Sequence, residues 1–269
     1  MKRRLDQYLV EEGLVPTKSQ AQALILRGAV LVNGQAATKA GQAVPAEARV
    51  ELKEGLRYVS RGGLKLEGAL HDFGFTVEGL TALDIGASTG GFTDCLLQNG
   101  AARVVAIDVG YGQFAWKLRQ DPRVRLLERT NIRHLTPQEF GETGDLATID
   151  VSFISLNLVL PAVKALLKEG APILALVKPQ FEAGREKVGS KGVVRDPAVH
   201  REVLARVATL AGELGYGVQG ITVSPLKGPE GNVEFWLHLA PGGPALDQGE
   251  LAAVVARGQA MPNKEKSDL

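Results

Sequence analysis

Four charged residues stand where the surrounding sequence is apolar. Lys65 interrupts "SRGGLKLEGAL", Asp150 closes the run "LATID", Lys178 closes "ILALVK", and Glu234 breaks into "VEFWLHL". Singly they have ordinary explanations: a lysine stem lies along apolar surface with its ammonium in water, a strand ends in a solvated acid, and an edge strand keeps a polar face. Together they can activate an alcohol. A hydroxyl ionises far above neutral pH, so to attack an electrophile it needs a base or an adjacent cation as its oxygen gains charge. A lysine serves by using its charge directly, or by accepting the proton where a second cation lowers its pKa from about 10.4. Lys178 suits that role, because Pro179 biases it toward extended backbone and so fixes how its side chain leaves the strand. Lys65 is the neighbouring cation, and Asp150 and Glu234 orient the two ammonium groups.

A second cluster lies in "LDIGASTGGFTD", residues 83–94, an apolar strand end followed by small residues around three glycines and the first turn of a helix. Such a turn lets backbone approach a ligand closely. Asp108, closing the next apolar run "RVVAID", can accept hydrogen bonds from two ribose hydroxyls. Both features suit an adenosine cofactor. A nicotinamide dinucleotide calls for G-x-G-x-x-G, and here Ser88 stands at the second glycine position, so that fingerprint is broken.

The elements that must position these residues follow from the apolar runs, which end at Asp84, Asp108, Glu128, Asp150 and Lys178 with amphipathic or mixed segments between them. Strands alternating with crossovers predict a doubly wound parallel sheet, and ligands of such sheets sit beyond the carboxyl ends of the strands. The last two runs, "GVQGITVSPL" and "NVEFWLHLA", are joined by the short "KGPEG", which permits only an antiparallel pair. The expected architecture is a mostly parallel sheet closed by one antiparallel strand. A helix over "QGELAAVVARG" follows in the tail.

Residues 1–59 differ in texture and charge, with nine Lys or Arg against six Asp or Glu, while the remainder carries 22 against 24. "RLDQYLVEEGL" has Leu5, Tyr8 and Leu9 at helical spacing before Gly13, and "TKSQAQALILRG" repeats the design with Thr17 as N-cap and Gly28 as C-cap. Asn33-Gly34 then marks a hairpin turn between β-prone runs. Helix, helix and small sheet form a compact module whose Arg3, Arg4, Lys18 and Arg27 can share a face.

Composition excludes several classes. The single cysteine, Cys95, rules out an intramolecular disulfide framework, and no CxxC or HExxH spacing points to a metal, so none is expected. No run reaches the roughly 18 apolar residues of a membrane span, and acids follow the basic N-terminus where a secretory signal needs its apolar stretch. A cytoplasmic protein with no membrane partner is the expectation.

These motifs carry a family resemblance. "DIGASTGGF" resembles the first cofactor motif of S-adenosylmethionine-dependent methyltransferases, and the antiparallel last strand is also similar to that class. The lysine, aspartate, lysine, glutamate set, in this chain order, resembles the tetrad of the FtsJ-like RNA 2′-O-methyltransferases. The N-terminal module resembles the RNA-binding module first described in ribosomal small-subunit protein four, although Ser19 is followed by Gln20 where that module usually has Ser-Arg. Together with "RYVSRGGLKLEGAL", "TIDVSFISL", "LVKPQFE" and "GPEGNVEFWLHL", the chain resembles the TlyA family of bacterial rRNA methyltransferases over nearly its whole length.

That resemblance implies an α/β fold, a doubly wound Rossmann-like S-adenosylmethionine methyltransferase sheet with a small N-terminal α+β RNA-binding domain. The expected divisions are residues 1–57 for that small domain, 58–63 for a linker, 64–241 for the methyltransferase domain and 242–269 for a C-terminal helix and tail. It implies a cytidine 2′-hydroxyl of ribosomal RNA as acceptor, free or in a ribosomal subunit, and catalysis by Lys65, Asp150, Lys178 and Glu234. Asp84, Gly86, Ser88, Thr89 and Gly90 would surround the methionine end of the cofactor, with Asp108 at the ribose and Asn131 near the adenine. RNA contacts would come from Arg3, Arg4, Lys18, Arg27 and Arg61, and from Arg185, Lys187 and Lys191 of the loop 181–196, read as a lid that orders on RNA phosphate. Relatives also carry a hemolysin label. A noncatalytic rRNA-binding factor and a pore-forming protein are the alternatives; the complete tetrad speaks against the first and the lack of an insertion segment against the second.

Overall fold

The structure, a computed structural model, describes residues 3–26, 28–45, 47–52 and 57–262. Arg27, expected to contact RNA, lies outside the described residues. Contacts divide the chain into two units, the first ending at Arg57 and the second beginning at Tyr58.

The first unit runs β1 (Arg3–Arg4), α1 (Leu5–Glu11), α2 (Lys18–Leu26), β2 (Val30–Val32), β3 (Gln35–Ala36), β4 (Ala43–Val44) and β5 (Val50–Leu52). Its local signals act as expected. Thr17 Oγ1 accepts from the Gln20 amide at 3.2 Å at the start of α2. Asn33 and Gly34 take φ of 53° and 78°, the positive pair that a tight two-residue hairpin requires, and Val32 pairs with Gln35 across it. Leu5, Leu9, Ala21, Ile25 and Val30 are fully buried and form the core.

The second unit runs α3 (Arg61–Asp72), β6 (Thr81–Ile85), α4 (Gly91–Gln98), β7 (Arg103–Ile107), α5 (Trp116–Arg119), β8 (Val124–Leu127), α6 (Pro137–Phe140), β9 (Leu146–Ile149), α7 (Leu156–Ala165), β10 (Ile173–Val177), α8 (Pro179–Glu182), α9 (Pro197–Glu213), β11 (Tyr216–Val223), β12 (Phe235–Pro241) and α10 (Gln248–Ala260). They build one seven-stranded sheet in the order β11-β12-β10-β9-β6-β7-β8. β10, β9, β6, β7 and β8 are mutually parallel, and β12 is antiparallel to both of its neighbours. The one antiparallel strand expected from the short "KGPEG" connection is therefore present, but it inserts between β10 and β11 instead of closing an edge.

Alternation divides each strand between two cores. Leu83 and Ile85 join α7, α9 and α10 in the core on one face, where Val159, Val203 and Val254 are buried. Ala82, Leu174, Leu176 and Trp236 join α3, α4 and α5 on the other. Both faces are covered, which is why the parallel strands read as nearly unbroken apolar runs.

Two expected boundaries move. Residues 58–63 do not behave as a linker: Tyr58 is buried in the second core, α3 already begins at Arg61, and a Cβ on Gly63 would lie 2.2 Å from the Tyr58 ring. The C-terminal helix is likewise no appendage, because Leu251, Val254 and Val255 of α10 are buried in the sheet's core.

Candidate active site

The register between β10 and β12 assembles the charged cluster. Val177 pairs with Phe235, so one residue further Lys178 and Glu234 fall opposite each other. By alternation both lie on the face of Leu176 and Trp236, the face covered by α3, which carries Lys65. Lys178 has extended backbone (φ −110°, ψ 100°), as the following proline requires. Its Nζ lies 2.5 Å from Asp150 Oδ1 in a close ion pair that is not aligned as a hydrogen bond, and it donates to Ser152 Oγ at 3.0 Å. Lys65 Nζ donates to Glu234 Oε2 at 2.6 Å. The four expected residues thus form two ion pairs, each lysine matched by one carboxylate. Such matching is what permits two lysines and a glutamate to be buried this deeply.

The glycine turn lies directly against this cluster. Gly86 has φ of +87°, and a Cβ there would sit 2.5 Å from the backbone oxygen of Asp150. Ser88 follows in left-handed backbone, and its amide donates to Asp108 Oδ2 at 2.7 Å while the Gly110 amide donates to Asp108 Oδ1 at 2.6 Å. The Asp108 carboxylate is therefore held in one orientation by two backbone donors. A cavity of about 400 Å³ opens here, lined among others by Gly86, Ser88, Asp108, Asn131, Ser152 and Phe153. That volume lies within the range of small-molecule sites. Asn131 stands on its wall with its own Oδ1 accepting from the Arg133 amide at 3.1 Å.

Asp84, Thr89 and Gly90 do not line this cavity. Gly90, the N-cap of α4, has φ of +93°, and a Cβ there would strike Leu118 at 2.5 Å, so its smallness serves packing. The Thr89 carbonyl accepts from the Ala115 amide. Asp84 is fully buried: Oδ2 accepts from Thr93 Oγ1 at 2.6 Å and Oδ1 has no partner. Burial pushes its carboxyl up to about 7, the Thr93 hydroxyl opposing and the Asp150 charge adding to the rise.

These features fit S-adenosylmethionine, an amino acid joined to a nucleoside through a sulfonium. Gly86 leaves no room for a side chain, and Asp108 presents a fixed carboxylate suited to a ribose.

The basic residues expected at RNA are largely engaged within their own units. Arg3 pairs with Glu12 at 2.9 Å and Glu11 at 3.3 Å. Arg4 forks onto buried Asp6 at 3.0 and 2.9 Å, and Lys18 is 3.8 Å from the same carboxylate. Together with Gln22 they hold the Asp6 carboxyl well below its ordinary range, Arg4 contributing most. Arg61 donates to the Lys227 carbonyl at 3.3 Å. Arg185 is exposed, Lys187 pairs with Glu202, and Lys191 has left-handed backbone. The loop read as an unordered lid is held in place: Asn232, buried, accepts from the Val194 amide at 3.0 Å and donates to the Gly192 carbonyl at 2.9 Å.

Sequence reasoning missed Ser152, Phe153, Phe181 and Glu182, although all lie in the quoted "TIDVSFISL" and "LVKPQFE". Phe153 is 90% exposed at the cavity wall, with φ of +62°, a strained conformation for a bulky residue. Its ring lies 4.9 Å from that of Phe181.

Comparison with known proteins identifies the family. Residues 3–50 match the S4 domain, and residues 58–240 match the FtsJ-like methyltransferase family. The chain is 50% identical over 238 residues to the 16S/23S rRNA (cytidine-2′-O)-methyltransferase TlyA of Mycobacterium tuberculosis, covering 88% of this chain and 89% of that one. It is also 50% identical over 275 residues to YqxC of Bacillus subtilis, provisionally named an rRNA methyltransferase, covering 100% and 98%. A solved structure from Streptococcus thermophilus, provisionally named a hemolysin, superposes with a TM-score of 0.75 at 47% identity, covering 96% of this chain and 95% of that one. Among the described residues no helix is long and apolar enough to cross a membrane. With an S4 domain ahead of an FtsJ-like domain and this identity across most of its length, the chain belongs to the TlyA family of FtsJ-like methyltransferases.

Proposed function

We propose that this protein methylates the ribose 2′-hydroxyl of a cytidine in ribosomal RNA, using S-adenosylmethionine. The observation that carries the reading is that Lys178 is held by Asp150 and Ser152, which line a cavity at the glycine turn, with the Lys65–Glu234 pair supplied by the neighbouring strand and helix.

The cofactor supplies an electrophilic methyl group. Gly86, Ser88, Asp108 and Asn131, which line the cavity, bind and orient it. Lys178 meets the acceptor hydroxyl, its ammonium, ion-paired with Asp150, stabilising the charge the oxygen gains as the hydroxyl proton leaves to solvent. Asp150 and Ser152 fix the Lys178 side chain, and Glu234 fixes Lys65 as the second cation. Phe153, exposed beside the cavity, presents a face on which an unstacked base can lie. The S4 domain, through Arg3, Arg4, Lys18 and Arg27, and Arg61, Arg185, Lys187 and Lys191 of the second unit, contact phosphates and so position the RNA without reading its sequence. Acting on ribosomal RNA or an assembled subunit, the enzyme works in the cytoplasm.

The test is transfer of tritium from labelled S-adenosylmethionine to ribosomal RNA and subunits lacking the modification, with Lys178→Ala as the paired control. Label in alkali-resistant dinucleotides that disappears with the variant supports ribose methylation. Cofactor binding without label in any ribosomal fraction overturns it.

A further inference from the structure

Glu182 ends α8, the short helix that begins immediately after Lys178, and is buried. Both of its carboxylate oxygens face the other catalytic segment, the stretch after β9. Oε2 accepts from Ser155 Oγ at 2.8 Å and Oε1 accepts from the Leu156 amide at 2.7 Å. From the opposite side, Arg206 of α9 donates to the Glu182 carbonyl and brings its guanidinium to 3.8 Å from Oε2. Burial pushes the Glu182 carboxyl up, and the two accepted hydrogen bonds oppose that rise.

The two segments joined in this way carry different halves of the site. Asp150, Ser152 and Phe153 lie on one, and Lys178 and Phe181 on the other. They meet again through Lys178–Asp150, Lys178–Ser152 and Phe153–Phe181. Each of those contacts uses a group assigned to the reaction or to the acceptor base. The Glu182 tie uses none of them. A cap for α7 alone would not require it, because Ser155 already supplies the N-cap by accepting from the Asn157 amide at 3.2 Å.

We infer that Glu182 is a positioning residue for methyl transfer: its carboxylate sets the separation of the Asp150–Phe153 segment from Lys178. This rests on the methyltransferase reading above. A reacting group displaced by about 1 Å loses on the order of 100-fold in rate. Glu182→Ala therefore lowers kcat by about that factor. Glu182→Gln, nearly isosteric and retaining one acceptor, lowers it by about tenfold and covers the case in which the alanine variant fails to fold. Cofactor affinity also falls, because residues 150–154 line the cavity, but by less than kcat, since Gly86, Ser88, Asp108 and Asn131 lie on neither segment. Ser155→Ala added to Glu182→Ala produces little further loss of kcat, since the Ser155–Glu182 bond is already gone, and the lost α7 cap lowers stability alone.

Wild-type kcat in Glu182→Ala and Glu182→Gln, whatever their melting temperatures, overturns the inference, since a purely structural cap would move stability alone. Hydrogen exchange at the amides of residues 151–156 provides a readout independent of catalysis. Faster exchange in Glu182→Gln supports the tie and unchanged exchange sinks it. Should the wild-type protein transfer no methyl to any RNA fraction, the methyltransferase reading fails on its own, and the exchange measurement still decides whether Glu182 holds the segment.

Discussion

Lys65 Nζ donates to Glu234 Oε2 at 2.6 Å, an ion pair between residues 169 positions apart whose side chains are only 11% and 1% exposed. Removing one partner strands the other charge in an apolar interior, at a cost of about 3–5 kcal/mol. Lys65→Met is expected to lose stability of that order in chemical denaturation, and the double variant Lys65→Met/Glu234→Gln to regain most of it. Methyl transfer returns in neither. Recovered activity in the double variant would remove both residues from the catalytic set.

Lys178 is held by Asp150 and Ser152, both of which line the cavity. Lys178→Ala is expected to lower turnover by about 10²- to 10⁴-fold, the usual contribution of a positioned acid or base, while calorimetric affinity for the cofactor stays near wild type. Equal loss of cofactor binding would instead assign the lysine to the cofactor.

Asp84 supplies a pH signature. Its carboxyl is raised from 3.8 to about 7, chiefly by burial. Between those values the folded chain keeps a proton that the unfolded chain has released, so this residue's contribution to stability falls as pH rises through the window. Asp84→Asn removes the slope, and unfolding measured from about pH 5 to about pH 8 should move in the variant's favour as pH increases. A fall in stability of equal steepness in Asp84→Asn would assign the titration to another group.

Gly86 combines a positive φ with contact against the Asp150 backbone. Gly86→Ala adds the clash to left-handed strain of about 1–3 kcal/mol and pushes Asp150 from its place, so cofactor binding and transfer should both fall. Gly112→Ala is the control, since Gly112 also has positive φ but open space around it. Its cost should be strain alone, with activity preserved. Similar losses at both positions would show that the Asp150 contact does not matter.

Much of the candidate site was legible because a strand buried on both faces is an unbroken apolar run, and its first charged residue marks the strand's end. Asp108, Glu128, Asp150 and Lys178 each directly follow a strand of the structure. Asp84 departs from this pattern by one place: it lies inside β6, with Ile85 after it, which is why it is buried and unsatisfied instead of facing the cavity. The first unit was legible for a similar reason, as the Thr17 cap and the Asn33-Gly34 turn are settled by backbone chemistry within a few residues.

By itself the sequence determined the alternation of strands and crossovers, the rim on which polar groups gather, and the family to which the motifs belong, all of which depend on local periodicity and short motifs. Only the tertiary structure decided that β12 enters between β10 and β11, bringing Glu234 opposite Lys178, and that Lys65 pairs with Glu234 while Asp150 takes Lys178. It also decided that Tyr58 belongs to the second core, that Arg4 is committed to Asp6, and that Phe153 stands exposed in strained backbone beside Phe181. The physical reason is range. Caps, turns and apolar runs are fixed by neighbours a few positions away, whereas ion-pair partners and ring contacts are chosen over ångströms between residues far apart in the chain, once packing has set which strand lies beside which.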